Sequence, residues 1–373
     1  MDLGNRSLAS GPLCDLMGTE LGTMGRMLPC HNRRSPDSYR CPSLCPCPGT
    51  IPMAYDTEKK VALDVALAAA HLCDRVRQEI VPESIEKDDR SPVTVADFGS
   101  QAVICQGLGV AFPQDPIVGE EDSADLRSPE RAPQLQLVTR YVQGTLPTAT
   151  PDTVVQWIDR GNAQGGDRFW TLDPIDGTKG FLRGDQYAVA LALVEGGEVK
   201  VGVLACPALS FGSGEPGLVF VAVRGEGASW MPLKGGDPQP LQVVTGAEAD
   251  GFRFVESVES GHGDQTRQSA IAQAVGITQA SIRMDSQAKY AAVAAGQAAL
   301  YLRLPSPKTP DYREKIWDHA AGVLIIEEAG GRVTDMLGQP LDFSQGSKLV
   351  NNQGVVASNG VIHETVIAAL QQG

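Results

Sequence analysis

Between Asp56 and Ile80 the apolar side chains of Val61, Val65, Ala68, Leu72, Val76 and Ile80 return every three or four residues. That period predicts an amphipathic helix, with Thr57 as a capping candidate. The period becomes two at Tyr187, where Tyr187, Val189, Leu191 and Leu193 alternate with Ala188, Ala190 and Ala192 until Gly196-Gly197 turns the chain into VKVGVLACP. This predicts a strand hairpin. One face of its first strand is large and the other only alanine, so a helix or neighbouring sheet can approach closely there. LVFVAV at 218–223 extends the same sheet. After about residue 246 strand-like and helix-like segments alternate: FRFVESV, a helix near 265–275, a helix through AKYAAVAAG, the strand ALYLRL, a helix from Asp318 to Glu328, and the strand VVAS. Such an order predicts an alternating α/β lobe.

Two stretches lack either period. Residues 122–168 are rich in Pro, Gly and charge with one weakly helical piece, and are expected to form a mobile insertion beside the site. Residues 1–52, broken by Pro and Gly and carrying CPSLCPCPG, are expected to be a disordered or removable extension, which leaves Met53 as a candidate effective start.

Composition adds scale: 373 residues with 42% hydrophobic and 20% charged content can bury a substantial core. Because single cores stop growing near roughly 250 to 300 residues, two lobes are expected, the second beginning near residue 246 where the α/β alternation sets in. The net charge of -14, without an extended basic stretch, argues against a nucleic-acid partner. An anionic small molecule would need local cations or metal ions to reverse the field.

No run approaches the roughly 18 to 20 apolar residues that cross a bilayer, and the N-terminus lacks the form of a secretory signal. No membrane partner is expected, and a cytoplasmic monomer is. Arg33, Arg34 and nearby serines keep a plastid or mitochondrial targeting segment open, against Asp2, Asp15, Glu20 and Asp37. Five of the eight cysteines lie in the first 47 residues, so the folded part is no disulfide scaffold. Cys41, Cys45 and Cys47 fit no common zinc-ligand spacing, and only five histidines weaken a zinc-hydrolase reading. His71 and His319 are taken as structural.

Chemistry concentrates in FWTLDPIDGTKGF at 169–181. Phe169, Trp170 and Leu172 look like the end of a buried strand, which Pro174 stops by withholding an N–H. Gly177 tolerates unusual φ, and Thr178 can open a helix whose exposed N–H groups would hold a phosphate. Asp173 and Asp176 flank this turn and would repel each other without cations between them. Taken alone, D-P and D-G are ordinary turn dipeptides. VGEED at 118–122 delivers Glu120 and Glu121 at a strand's end, where one of them could complete a metal cage or both could form a solvated acidic loop. Asp97 in SPVTVADFGSQ and Asp318 in KIWDHAAG each stand at a helix start, where capping is the competing role.

SPVTVAD, VGEE, DPIDGTKGFLRG, VESVESGH, DSQAKY, YLRLP and KIWDHAAG occur in the order seen in the 3′(2′),5′-bisphosphate nucleotidases, which the chain resembles over roughly residues 54–373. That family belongs to the lithium-sensitive phosphatase superfamily of the inositol monophosphatases. The resemblance implies their layered α/β sugar-phosphatase fold, an α+β lobe over 53–245 followed by an α/β lobe over 246–373, with a site between the two lobes. It makes the side chains of Glu120, Asp173, Asp176 and Asp318, with the Ile175 carbonyl, ligands of two or three Mg2+ ions. Asp97 and Thr178 match the pair that activates the attacking water. Gly177, Thr178, His262, Ser286, Lys289, Arg303 and Asp318 match positions that hold the nucleotide. Without the family, Lys289 and Arg303 read as surface residues and His262 as a loop residue. The implied reaction is hydrolysis of 3′-phosphoadenosine 5′-phosphate to AMP and phosphate. Activity on 3′-phosphoadenosine 5′-phosphosulfate and inositol 1,4-bisphosphate, and inhibition by lithium or sodium, are further implications. An inositol monophosphatase or inositol polyphosphate 1-phosphatase is the rival enzyme, and a non-catalytic nucleotide or metal sensor the rival from another class.

Overall fold

The computed structural model describes residues 54–79, 85–86, 92–212, 214–246, 252–259 and 263–372. The extension at 1–52, with its cysteine cluster, and His262 lie outside the described residues.

Helix α1 (Asp56–Glu79) forms as expected, but it already begins at Asp56, so Thr57 stands inside the first turn rather than capping it. Its buried stripe is small, with Ala62, Ala66, Ala69 and Ala70 beside Val65, Leu72 and Val76. A short antiparallel pair, β1 (Ile85–Glu86) with β2 (Pro92–Val93), leads into α2 (Val95–Ala111). Thr94, not Asp97, is the N-cap of α2. Thr94 Oγ1 accepts from the backbone N–H groups of Ala96 and Asp97, and Asp97 Oδ2 accepts from Thr94 N at 2.7 Å, a closed capping box.

After β3 (Ile117–Gly119) the expected mobile insertion proves to be two helices, α3 (Ala132–Gln143) and α4 (Pro151–Asp159). Both open with proline in the first turn, and Val138, Tyr141, Val142, Val154 and Ile158 enter the same core as α1 and α2. Their apolar periods, LVTRYV and VVQWI, are each too short to stand out from the polar loops around them.

Strand β4 (Arg168–Asp176) does not stop at Pro174. Pairing resumes at Asp176 after a register shift between Asp173 and Asp176, and that irregularity is what accommodates a residue with no N–H to give. Then come α5 (Thr178–Arg183) and the hairpin β5 (Ala188–Glu195) and β6 (Glu198–Cys206), whose Gly196-Gly197 link has φ of +61° and +77°, the sign a tight hairpin turn needs. Strands β7 (Leu218–Val223), β8 (Gly227–Pro232) and β9 (Gln239–Pro240) complete a seven-stranded sheet in the order β3-β4-β5-β6-β7-β8-β9. Only the β3–β4 pair is parallel.

The rest of the chain alternates β10 (Phe254–Glu256), α6 (Gln265–Ala274), β11 (Ile282–Arg283), α7 (Ala288–Ala294), β12 (Leu300–Arg303), α8 (Ala320–Glu328), β13 (Arg332–Thr334), β14 (Val355–Ser358) and α9 (His363–Gln372). Its strands form a mixed sheet in the order β11-β10-β12-β14-β13. Helix α8 starts at Ala320, two residues later than expected, because Ile316–Asp318 is a separate 3-10 turn.

Three cores stack these layers. Tyr187, Val189, Leu191 and Leu193 pack on α1 and α2, while Ala188, Ala190 and Ala192 share a core with α7 and α8, as the alternation predicts. The far face of the second sheet is covered by Ile271 of α6 and Val366 and Leu370 of α9. The result is a mixed α/β fold in the order helices, sheet, helices, sheet, helices. The middle layers approach closely at Gly202 on β6, where an added Cβ would stand 3.0 Å from the Ala321 carbonyl of α8. Gly202→Val is therefore expected to cost about 2 kcal/mol or more, read as a lower urea midpoint. An unmoved midpoint would mean that this contact does not set the spacing of the layers.

Candidate active site

The turn after β4 is built by a left-handed residue. Gly177 has φ of +87° and its missing Cβ leaves room for Ser286, whose own Cβ would lie 2.9 Å away. Ser286 is itself in the left-handed region at φ +63°, a strained choice for a residue with a side chain, so two tight turns meet here. The α2 hydroxyl of Ser100 donates to the Pro174 carbonyl at 3.0 Å, and Ile175 N donates to Asp173 Oδ1 at 3.1 Å. From the other side, Gln287 donates its backbone N–H to Asp176 Oδ2, its side-chain amide to the Trp317 carbonyl at 2.9 Å, and accepts from Gly322 N at 3.1 Å. One glutamine thus ties the β4 turn to the segment carrying Asp318.

These contacts bring Glu120, Asp173, Ile175, Asp176, Gly177, Thr178, Ser286, Lys289, Arg303 and Asp318 onto the wall of one cavity of about 500 Å3. Carboxylates from four separate chain positions converge. Burial pushes the Asp173 carboxyl well above the ordinary carboxylate range, and the charges of Glu120, Asp176 and Asp318 push the same way. Asp318 is likewise raised by burial and by Asp176, with Arg303 opposing. Asp176 is raised by burial against the pull of Lys289, of the Gln287 N–H and of Arg303. A cluster that repels itself this strongly, all of it oxygen, suits a hard divalent cation, and the fifth oxygen available is the Ile175 carbonyl.

Lys289 is buried over the Tyr301 ring, 5.4 Å from its centroid. Burial lowers it to about 8, with Asp176 resisting, so it still carries its charge through most molecules at neutral pH. Arg303 closes β12 with its Nε 3.1 Å from Glu314 Oε1.

Asp97, Thr178 and Glu121 sit differently from the arrangement expected. Asp97 is fully buried in the first turn of α2 and is not part of the cavity wall. The Thr178 hydroxyl, expected to relay a proton to it, donates instead to the Ile175 carbonyl at 3.2 Å. Glu121 also turns away from the cavity: it is buried, with its backbone bound on both sides by the Gln101 amide, and so is no loop facing water. Several wall residues are not assigned to the site from the sequence, namely Gln287, Tyr290 and Trp317, which are not singled out there, and His319, which is taken as structural. Gln287 and Tyr290 stand inside the DSQAKY string, but their roles depend on residues some 30 and 110 positions away. His71 is exposed on α1, whereas His319 is buried at the cavity. No helix among the described residues is long and apolar enough to cross a membrane.

A profile of the inositol monophosphatase family matches residues 53–373. A 3′(2′),5′-bisphosphate nucleotidase of Schizosaccharomyces pombe is 44% identical over 341 residues, covering 85% of this chain and 96% of its own length. A 3′(2′),5′-bisphosphate nucleotidase of Oryza sativa is 40% identical over 340 residues, covering 85% and 94%. Among solved structures, an IMPase from Thermotoga maritima matches with a TM-score of 0.60 at 22% identity, covering 85% of this chain and 97% of that one. At that identity the likeness is one of fold.

Proposed function

Because the chain belongs to the inositol monophosphatase family, we propose that it is a magnesium-dependent phosphomonoesterase that hydrolyses the 3′-phosphate of 3′-phosphoadenosine 5′-phosphate, giving AMP and phosphate. The observation that carries the substrate class is the meeting, in one cavity, of four carboxylates with two cations, Lys289 and Arg303, that can take a second anionic group. Relatives named as bisphosphate nucleotidases at 40 to 44% identity support the same choice. 3′-Phosphoadenosine 5′-phosphosulfate and inositol 1,4-bisphosphate, which also carry two anionic groups, are included as secondary substrates.

In this reading Glu120, Asp173, Asp176, Asp318 and the Ile175 carbonyl hold two or three Mg2+ ions, a site open to lithium or sodium. Bound there, magnesium supplies a lowered pKa for the attacking water and neutralises charge gathering on the phosphoryl oxygens. Asp97 takes the proton through the Thr178 hydroxyl, which must turn from the Ile175 carbonyl to do so. Gly177 and Thr178 present the turn to the phosphoryl group, while Ser286, Lys289, Arg303 and His262 hold the nucleotide. We divide the molecule near residue 245, one lobe for each sheet, and place it in the cytoplasm as a monomer. Among the described residues, the three buried free thiols Cys73, Cys105 and Cys206 accord with a reducing compartment.

Phosphate release compared between the nucleotide and inositol monophosphate, each with magnesium, tests the substrate. A preference for the nucleotide of about 10-fold or more is expected from the second anionic contact. Equal or better turnover of inositol monophosphate would assign the chain to the rival enzyme. Tight nucleotide binding with no release of phosphate would make it a sensor.

A further inference from the structure

Among the described residues, the Arg303 guanidinium is hydrogen-bonded through Nε alone, to Glu314 Oε1. Its two terminal amino groups therefore remain for the cavity that Arg303 faces. Glu314 is not an incidental surface partner. It is 7% exposed, and its second oxygen lies 3.3 Å from His319 Nε2, whose Nδ1 is 2.6 Å from the Tyr290 hydroxyl. Burial opposes ionisation of Glu314, yet Arg303 and His319 outweigh it and hold the carboxyl down at about 2. Glu314, Asp318 and His319 approach one another closely enough to suggest a metal site. Both Glu314 oxygens and both His319 nitrogens are already engaged, however, so a cation there would have to displace Arg303.

The Asp176 and Asp318 carboxylates line the same cavity as Arg303 and are its alternative partners there. A guanidinium on a flexible stem would gain by swinging onto these carboxylates, and would then compete with cations for them and turn from the substrate. We propose that Glu314 is a positioning residue that holds Arg303 off the Asp176 and Asp318 carboxylates and aims its free amino groups at the second phosphate of the substrate. The inference rests on the nucleotidase reading above. Glu314 offsets part of the long-range pull of Arg303 on an anion, and in return fixes the fork geometry on which bidentate phosphate recognition depends.

The test is steady-state kinetics of Glu314→Ala, Glu314→Gln, Arg303→Ala and the double variant on 3′-phosphoadenosine 5′-phosphate and on adenosine 3′-monophosphate, which lacks the second phosphate. Glu314→Ala is expected to lower the bisphosphate-over-monophosphate ratio of kcat/KM by about 10- to 100-fold, the loss lying in KM for the bisphosphate. Glu314→Gln can still accept from Arg303 Nε and should keep most of the preference, and adding Glu314→Ala to Arg303→Ala should remove no more of it. Equal losses on both substrates, or single effects that multiply in the double variant, would overturn the positioning role. If Glu314→Ala does not fold, Glu314→Asp, which draws the carboxylate back by one methylene, is expected to move the ratio in the same direction. If Arg303→Ala itself leaves the preference intact, the assignment of Arg303 in the nucleotidase reading fails first. In that case the positioning role is overturned with it.

Discussion

Asp173→Asn is expected to lower kcat/KM for the nucleotide on the order of 10³-fold or more, and at the same time to raise the melting temperature of the magnesium-free protein by a few degrees, about 1 kcal/mol. The two effects have one cause. Asp173 is buried against Glu120, Asp176 and Asp318, whose charges it cannot escape while it is ionised. Neutralising it relieves that repulsion and removes a ligand. The same cluster sets a dependence on pH. The folded-state pKa values of Asp173, Asp176 and Asp318 are all raised above the unfolded carboxylate value, near 4. The folded protein therefore binds these protons more tightly than the unfolded chain does. Their contribution to stability falls as pH rises from about 4 through the raised values, and the full penalty applies above them. Magnesium cancels the penalty, so its stabilising effect in thermal melts should grow with pH over that window in the parent protein and be smaller in Asp173→Asn. A variant that stays active, or a magnesium-free melt that falls on substitution, would remove Asp173 from a metal cluster.

The β4 turn and the β5–β6 hairpin were legible because their signals are local. Alternation, Gly-Gly and D-P-I-D-G-T each act within a few residues of where they stand. The alanine face of β5 left room for a helix or a neighbouring sheet to approach closely, and the helices α7 and α8 fill it. What stayed hidden depends on partners far along the chain. Gln287 reads as an ordinary polar residue until Asp176, Trp317 and Gly322 arrive around it. Where the sequence reads as one weakly helical piece, two packed helices, α3 and α4, stand, because their apolar periods are brief and burial against α2 overrides weak local preference. The strand expected to end at Pro174 continues, because a bulge can absorb one missing N–H. At Asp97 the sequence offered two roles, a cap and a base, and the structure supplies the geometry of the first.

Asp97→Asn separates those two roles. As the third residue of α2, Asp97 accepts at Oδ2 from Thr94 N at 2.7 Å and Thr94 Oγ1 at 2.6 Å. Asparagine can keep an acceptor there, so the capping box should survive and stability should change by no more than about 1 kcal/mol. It cannot take a proton. If Asp97 is the base served by Thr178, kcat should fall by about 10² to 10⁴-fold, with KM for the nucleotide and the stabilisation by magnesium close to those of the parent. Asp97→Ala would lose the box as well and should add a stability loss of about 1 kcal/mol. An Asp97→Asn enzyme that turns over at the parent rate would leave the carboxylate as a helix cap only. The proton would then have to leave by a route that does not use Asp97.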